Sequence, residues 1–153
     1  MYKRLFLASL LLWLAVVVAA GVLFVRGTTA PGSDGRTAIR LSLSERDFVL
    51  GEMRTMLGAV QGVAEGIAAN DLTAVSRAAS GSGIAFERGV PVTLMGRLPL
   101  EFKQQGMAMH AGFDEIAAAA AKGESGQALT GRLAGQLNLC LGCHQSYRFD
   151  PVQ

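Results

Sequence analysis

The residues with the most chemistry in this 153-residue chain stand close to its C-terminus, in NLCLGCHQSYRF at 138–149: both cysteines, Cys140 and Cys143, and one of the two histidines, His144. The spacing C-x-x-C-H is that of c-type haem attachment, in which two thiols form thioethers to the porphyrin and the adjacent imidazole supplies an axial nitrogen to iron. Residues three and four apart on a helix are neighbours. Cys140 would therefore lie beside both Cys143 and His144, and one helical turn could clamp the porphyrin edge together with its iron. The expected cofactor is one covalently bound haem c, with Cys140 and Cys143 as thioether sites and His144 as the proximal iron ligand.

Three other uses of these residues compete with haem attachment on the same spacing. A thioredoxin-like redox pair wants its C-x-x-C opening a helix after a strand, and no strand pattern precedes this one. A zinc site needs a fourth strong ligand, and His110 is the one spare histidine. A disulfide between residues three apart inside a helix closes a very small loop and stabilises little. A non-haem interaction module with structural cysteines is the reading in which no cofactor binds at all.

The elements that must position this motif begin with MYKRLFLASLLLWLAVVVAAGVLFVRG. Lys3 and Arg4 precede an uncharged run from Leu5 to Val25, about 31 Å long as a helix, which matches the hydrocarbon thickness of a bilayer. A secretory signal has a shorter apolar core, so residues 1–25 are expected to be an uncleaved signal-anchor; cleavage after Ala20 is the alternative. Lys3 and Arg4 would keep the N-terminus inside, placing the rest on the periplasmic side of a bacterial inner membrane.

With Lys3 and Arg4 set aside, the remainder carries twelve basic and twelve acidic residues. There is no basic face with interleaved aromatics, so no nucleic-acid partner is expected. Residues 26–41, RGTTAPGSDGRTAIR and the leucine after it, are poor in apolar side chains and read as a flexible tether. Residues 42–153 are then the functional domain, long enough for one core.

Within it, four helical segments are expected in an all-α, antiparallel four-helix bundle. SLSE has capping-box spacing, with Ser42 or Ser44 before Glu45. The stripe Val49, Met53, Met56, Val60, Val63 and Ile67 follows at alternating four and three. Gly51, Gly58, Gly62 and Gly66 lie on that helix, admitting either close approach by a neighbour or simple tolerance of small residues. Asn70 or Asp71 caps a short second helix.

Pro99 opens a third helix with the stripe Phe102, Gly106, Met109, Phe113, Ile116 and Ala120, and Gly123 ends it. Ser125 caps the fourth, where Leu133, Leu137, Cys140, His144 and Tyr147 share a face. Strand alternation is absent except for a few residues around VPVTL. No nucleophile with a spaced base, carboxylate pair or phosphate-binding loop stands out, so no enzymatic activity is expected.

A single CLGCH near the extreme C-terminus, followed by QSYRF on the last of four helices, resembles the class II cytochromes c, the cytochrome c′ family and its low-spin relatives. The resemblance covers residues 43–149 and is strongest from Glu101 to Arg148; Tyr147 and Arg148 are part of it. It implies a bundle that often pairs as a homodimer, and a distal haem position on the first helix. The stretch LGEMRTMLGAVQG resembles that helix and sets Met53 at the distal position, with Met56 the second choice.

A Met there implies a six-coordinate carrier of single electrons between redox partners of the respiratory chain, because thioether ligation raises the potential and closes the coordination shell. An apolar distal residue implies instead a five-coordinate protein binding nitric oxide or carbon monoxide. Among the remaining residues, His110 stands one position off the third stripe and is expected at the core's edge or in solvent; Met95 and Met107 lie on no inward stripe. Phe102, Met109, Phe113, Leu133 and Leu137 are expected to form an apolar sleeve, and Arg54 or Arg148 to meet the haem propionates.

Overall fold

The computed structural model describes residues 2–152, apart from the side chains of 86–88; the outer limits of the first and last expected segments, 1 and 153, lie outside these. The chain is mostly helical. Helix α1, Tyr2–Arg26, buries none of its residues and is long and apolar enough to cross a membrane, with a mean hydropathy of 2.7 over its most apolar 18 residues.

The stretch expected as a tether is instead folded. Strand β1, Thr29–Pro31, turns back into β2, Thr37–Leu41, and β2 pairs in parallel with β3, Tyr147–Pro151, which follows the cysteine motif directly. The register sets Thr37 against Tyr147 and Ile39 against Phe149. Burial is the physical reason for this departure. Ile39 and Leu41 are fully covered, packing with Val49, Leu94, Leu98 and Phe102. Two apolar side chains among Gly, Ser and Thr are too few to register as a periodic pattern, yet they fill a core that helices supply. VPVTL, the expected strand candidate, is no strand: Val92 opens a short helix, α4, Val92–Arg97.

Helix α2, Leu43–Ala68, starts at a capping box in which the Ser42 hydroxyl accepts from the Glu45 amide and the Glu45 carboxylate accepts from the Ser42 amide. It ends with Asn70 at φ +55°, the left-handed residue that lets the amides of Asn70 and Asp71 satisfy the carbonyls of Ile67 and Gly66. Asp71 then caps α3, Leu72–Ser80, through its bond from the Ala74 amide. Helix α5, Leu100–Ala121, follows Pro99, and α6, Gly126–Ser146, is capped by Ser125.

Two apolar clusters result. The first joins α2, α3, α5 and α6 through Val63, Val75, Phe113, Ile116 and Leu129, all essentially inaccessible. The second joins the sheet to α2, α4 and α5 around Ile39, Leu94 and Phe102. The single stripe read along α2 is thus shared: Met56 packs on the first cluster and Met53 on the second.

Three expectations of orientation change. Leu137 is 40 % exposed and His144 is exposed, while the inward face of α6 runs through Leu129, Leu133, Gln136 and Cys140. Gln136 displaces Leu137 because its Nε2 donates to the Met109 carbonyl at 2.7 Å, so a polar residue meets its need inside the core. His110 is buried, with Nδ1 2.7 Å from the Ser82 carbonyl oxygen, for the same reason.

The glycines of α2 divide by what faces them. A Cβ on Gly66 would come within 2.9 Å of the Val75 amide nitrogen, and one on Gly62 within 2.8 Å of the Ala78 methyl, so α3 packs where side chains are missing. A Cβ on Gly58 would meet nothing. Opposite signs are therefore expected in thermal unfolding. Gly66→Ala lowers the midpoint, since overpacking against backbone costs about 1–3 kcal/mol. Gly58→Ala raises it, by a helix-propensity gain of up to about 1 kcal/mol.

Candidate functional site

The C-terminal end of α6 carries Cys140, Cys143 and His144 to the boundary between the two clusters. Cys140 packs on the first, its Sγ 4.0 Å from Met109 Sδ; Cys143 packs on the second and donates from Sγ to Gln105 Oε1 at 2.7 Å. Both thiols are free. Burial pushes both thiols' pKa values up, and for Cys143 the neighbouring Cys140 adds to the effect. A redox-active C-x-x-C has its thiolate stabilised at a helix N-terminus. Here the pair lies at the opposite, electronegative end of a helix, where a thiolate is disfavoured.

Beside this end is an open cleft of about 460 Å³, within the roughly 300–1,000 Å³ range of ligand and cofactor sites. Helix α2 contributes Arg46, Leu50 and Met53, α5 contributes Phe102, and α6 contributes Cys143 and His144. The remaining wall is Arg36, from the β1–β2 turn, with Tyr147, Arg148 and Phe149 of β3. Met53, far from Cys143 and His144 in sequence, thus shares one cavity with them. The His144 ring is exposed and makes no hydrogen bond to any described residue, leaving its nitrogens open to a ligand.

Of the other expected site residues, Cys140 lies one turn before the cleft rather than in its wall. Met56 and His110 belong to the first cluster and its flank. Arg148 lines the cleft; Arg54 does not. Of the expected sleeve only Phe102 reaches the wall, while Met109, Phe113 and Leu133 fill the first cluster and Leu137 is exposed. Met95 and Met107 are exposed, as their positions off the stripe imply.

The aromatic side of the wall is held edge to face. Phe102 meets Tyr147 at 5.4 Å and 88°, and Phe149 at 5.8 Å and 71°. Tyr147 Oη donates to Glu101 at 3.2 Å, and burial together with that carboxylate pushes the phenol's pKa up.

Arg36 was not visible as a site residue in the sequence, and it holds the end of α6. Its Nη1 donates to the carbonyls of His144 at 3.2 Å and Tyr147 at 3.3 Å, placing a cation at the C-terminal end of the helix, where it meets β3. Asp34 aims it, accepting from Nε at 2.9 Å and Nη2 at 2.7 Å. The signal that could have found this arrangement is Asp34-Gly35, a hairpin dipeptide between two short strands, with Gly35 at φ +84°. Arg46, Leu50 and Phe149 had no comparable signal.

Replacing Arg36 by Met is expected to speed amide exchange in the last turn of α6, corresponding to a loss of roughly 1 kcal/mol for partly exposed charged bonds; Arg36→Lys restores part of it. The Arg36 bonds, with Arg148 3.4 Å away, bring the Asp34 pKa down from 3.8 to about 2. A depressed carboxylate stabilises the fold above its unfolded pKa and loses that contribution as pH falls towards its folded one. The arm is therefore expected to loosen between about pH 4 and pH 2, and Asp34→Asn to flatten the stability profile in that window.

Among the described residues no group of three or more His, Cys, Asp and Glu comes together as a metal cage. A second, shallower groove of about 360 Å³ between α2 and α3 holds Glu65, Asp71 and Arg77 and none of the expected site residues. Compared with protein families, with curated proteins and with solved structures, the chain matches none of them.

Proposed function

We propose that the chain is a membrane-anchored monohaem c-type cytochrome that carries single electrons between partner proteins on the periplasmic face of a bacterial inner membrane, and that it is not an enzyme. The observation that carries this reading is the shared cleft, lined by Met53 of α2 together with Cys143 and His144 of α6. In the same reading α2, α3, α5 and α6, which surround the first cluster, are the four helices of a class II cytochrome bundle, and α1 is the anchor.

The residues present suit haem c. Cys143 would hold it by a thioether bond in the cleft, and Cys140, one turn earlier with its Sγ against Met109, would turn from the first cluster to form the second. His144 offers an unengaged imidazole, and Met53 offers a thioether from α2. Phe102, Tyr147 and Phe149 supply apolar walls, and Arg36, Arg46 and Arg148, each already paired with a carboxylate of the chain, make the rest of the lining polar and cationic. Haem, when bound, contributes an iron that alternates between ferric and ferrous states. The chain's own part is to attach the group, orient it, exclude water from one side and set its ligands.

The test is the optical spectrum of the purified chain, coexpressed with haem-attachment machinery, in both oxidation states and with carbon monoxide. A low-spin spectrum indifferent to carbon monoxide supports the carrier. A high-spin spectrum that shifts with carbon monoxide replaces it with the gas-binding reading, and a colourless product removes both.

A further inference from the structure

The exit of α1 is tied to the rest of the chain by specific bonds, although the segment after it reads as loose by composition. Lys103, near the start of α5, is only 8 % exposed. Its Nζ donates to the Phe24 carbonyl at 2.9 Å and the Met95 carbonyl at 3.2 Å, and lies 3.4 Å from the centre of the Phe24 ring. One ammonium thus caps the last turn of α1, ties α4 to it and makes a cation–π contact.

The joint continues beyond the lysine. Gly27 takes φ +61°, and a Cβ there would collide with the Arg97 carbonyl oxygen and lie 2.6 Å from the Pro99 nitrogen, so only glycine admits this approach. The Thr28 amide donates to that Arg97 carbonyl at 2.7 Å, and the Thr28 carbonyl accepts from the Arg40 amide at 2.8 Å. Arg97 in turn reaches Glu45, the residue of the α2 capping box. No freely rotating residue separates α1 from the sheet and helices.

Depth follows from this geometry. The carbonyls of Phe24 and Met95 are no more than about 6 Å apart, because they share one nitrogen at 2.9 and 3.2 Å. Phe24 is one residue, about 1.5 Å, from the end of the apolar run, so Met95 lies within about 8 Å of the hydrocarbon boundary, a distance comparable to the headgroup layer of roughly 5–8 Å on each side of a bilayer. At that level α4 is apolar on two faces. Leu94 and the C-cap residue Leu98 are buried in the core, while Val92 is 88 % and Met95 37 % exposed, three residues apart and so neighbours on one outer face of the helix.

We propose that the joint is a rigid mount and that the Val92–Met95 face of α4 is seated in the outer interface of the bilayer that α1 crosses, its occupant being lipid. This rests on the reading of α1 as an uncleaved anchor. A short helix with an apolar outer face gains by burying it at the headgroup boundary, and α1 brings that boundary to it. The mount would hold the candidate cleft at one fixed attitude to the membrane, so that partners approach it from one side.

The full-length chain in lipid vesicles tests this, with a nitroxide on an unnatural ketone residue at 92, and separately at 122, which is exposed and about 28 Å along α5 from Lys103. The ratio of oxygen to nickel-chelate accessibility is expected to be several-fold higher at 92 than at 122, and to fall towards the value at 122 in Lys103→Ala while the chain stays in the vesicles. Equal ratios at the two positions in a chain that resists alkaline extraction overturn the proposal and leave the anchor intact, as does a ratio at 92 that Lys103→Ala does not move. A chain washed off by alkaline carbonate overturns the anchor, and the proposal with it.

Discussion

Cys143→Ala is expected to abolish covalent haem. When the wild-type chain is exported alongside haem-attachment machinery and then denatured, its band should retain haem peroxidase stain, and the Cys143→Ala band should lose nearly all stable attachment. Cys140→Ala should behave in the same way. The fold is expected to survive, since removing one half-buried sulfur deletes few contacts and no helical hydrogen bond. Far-ultraviolet circular dichroism checks that point separately. Haem stain that survives in the double variant Cys140→Ala with Cys143→Ala would remove these thiols from the site, and a wild-type chain without stain would remove the haem reading as a whole.

Met53→Ala is expected to have the second largest effect, and it separates the two haem functions. Loss of a thioether ligand should open the sixth position, so the ferrous form gains a carbon monoxide response and the ferric form loses its methionine-to-iron charge-transfer band. The potential should fall by a sizeable fraction of the roughly 0.8 V range that axial ligands span. Met53 also packs on the second cluster with Phe48 and Phe149, so truncation to Ala could act through a cavity. Met53→Leu controls for that, because a volume-conserving swap usually costs less than about 1.5 kcal/mol. Both variants should change the spectrum alike if the sulfur is the cause. An effect confined to Ala assigns Met53 to packing, and an unchanged spectrum in both directs attention to Met56 or to an open site.

Much of the secondary structure was legible because helices advertise themselves locally. The Ser42–Glu45 box, the Asp71 and Ser125 caps and the left-handed Gly123 are short-range features, and each is found where its residue type implies. The stripe of α5 was read correctly along its length, since five of its six members are buried and only Gly106 is partly exposed. The sheet was not legible. A parallel pairing between residues 37–41 and 147–151 has no local signature, and its stability comes from Ile39 and Leu41 entering a core made by distant helices.

The candidate site divides along the same line. C-x-x-C-H, the apolar run of α1 and the Met-bearing stripe of α2 are properties of neighbouring residues. The sequence by itself therefore determined the presence of a helix able to cross a membrane and the clustering of two thiols and an imidazole within five residues, while the place of α2 opposite His144 is an expectation from the resemblance to class II cytochromes c. Only the tertiary structure decided that Met53 and not Met56 shares a cleft with Cys143 and His144. It also decided that Arg36 caps the helix bearing them, that Gln136 and His110 are inside, and that α1 is clamped by Lys103. Each of these depends on a polar side chain finding a backbone carbonyl far away in the chain, or on which of two adjacent helix positions turns towards a neighbour. A bond of that kind is made only after the helices have packed, whereas caps and stripes are set within one or two turns.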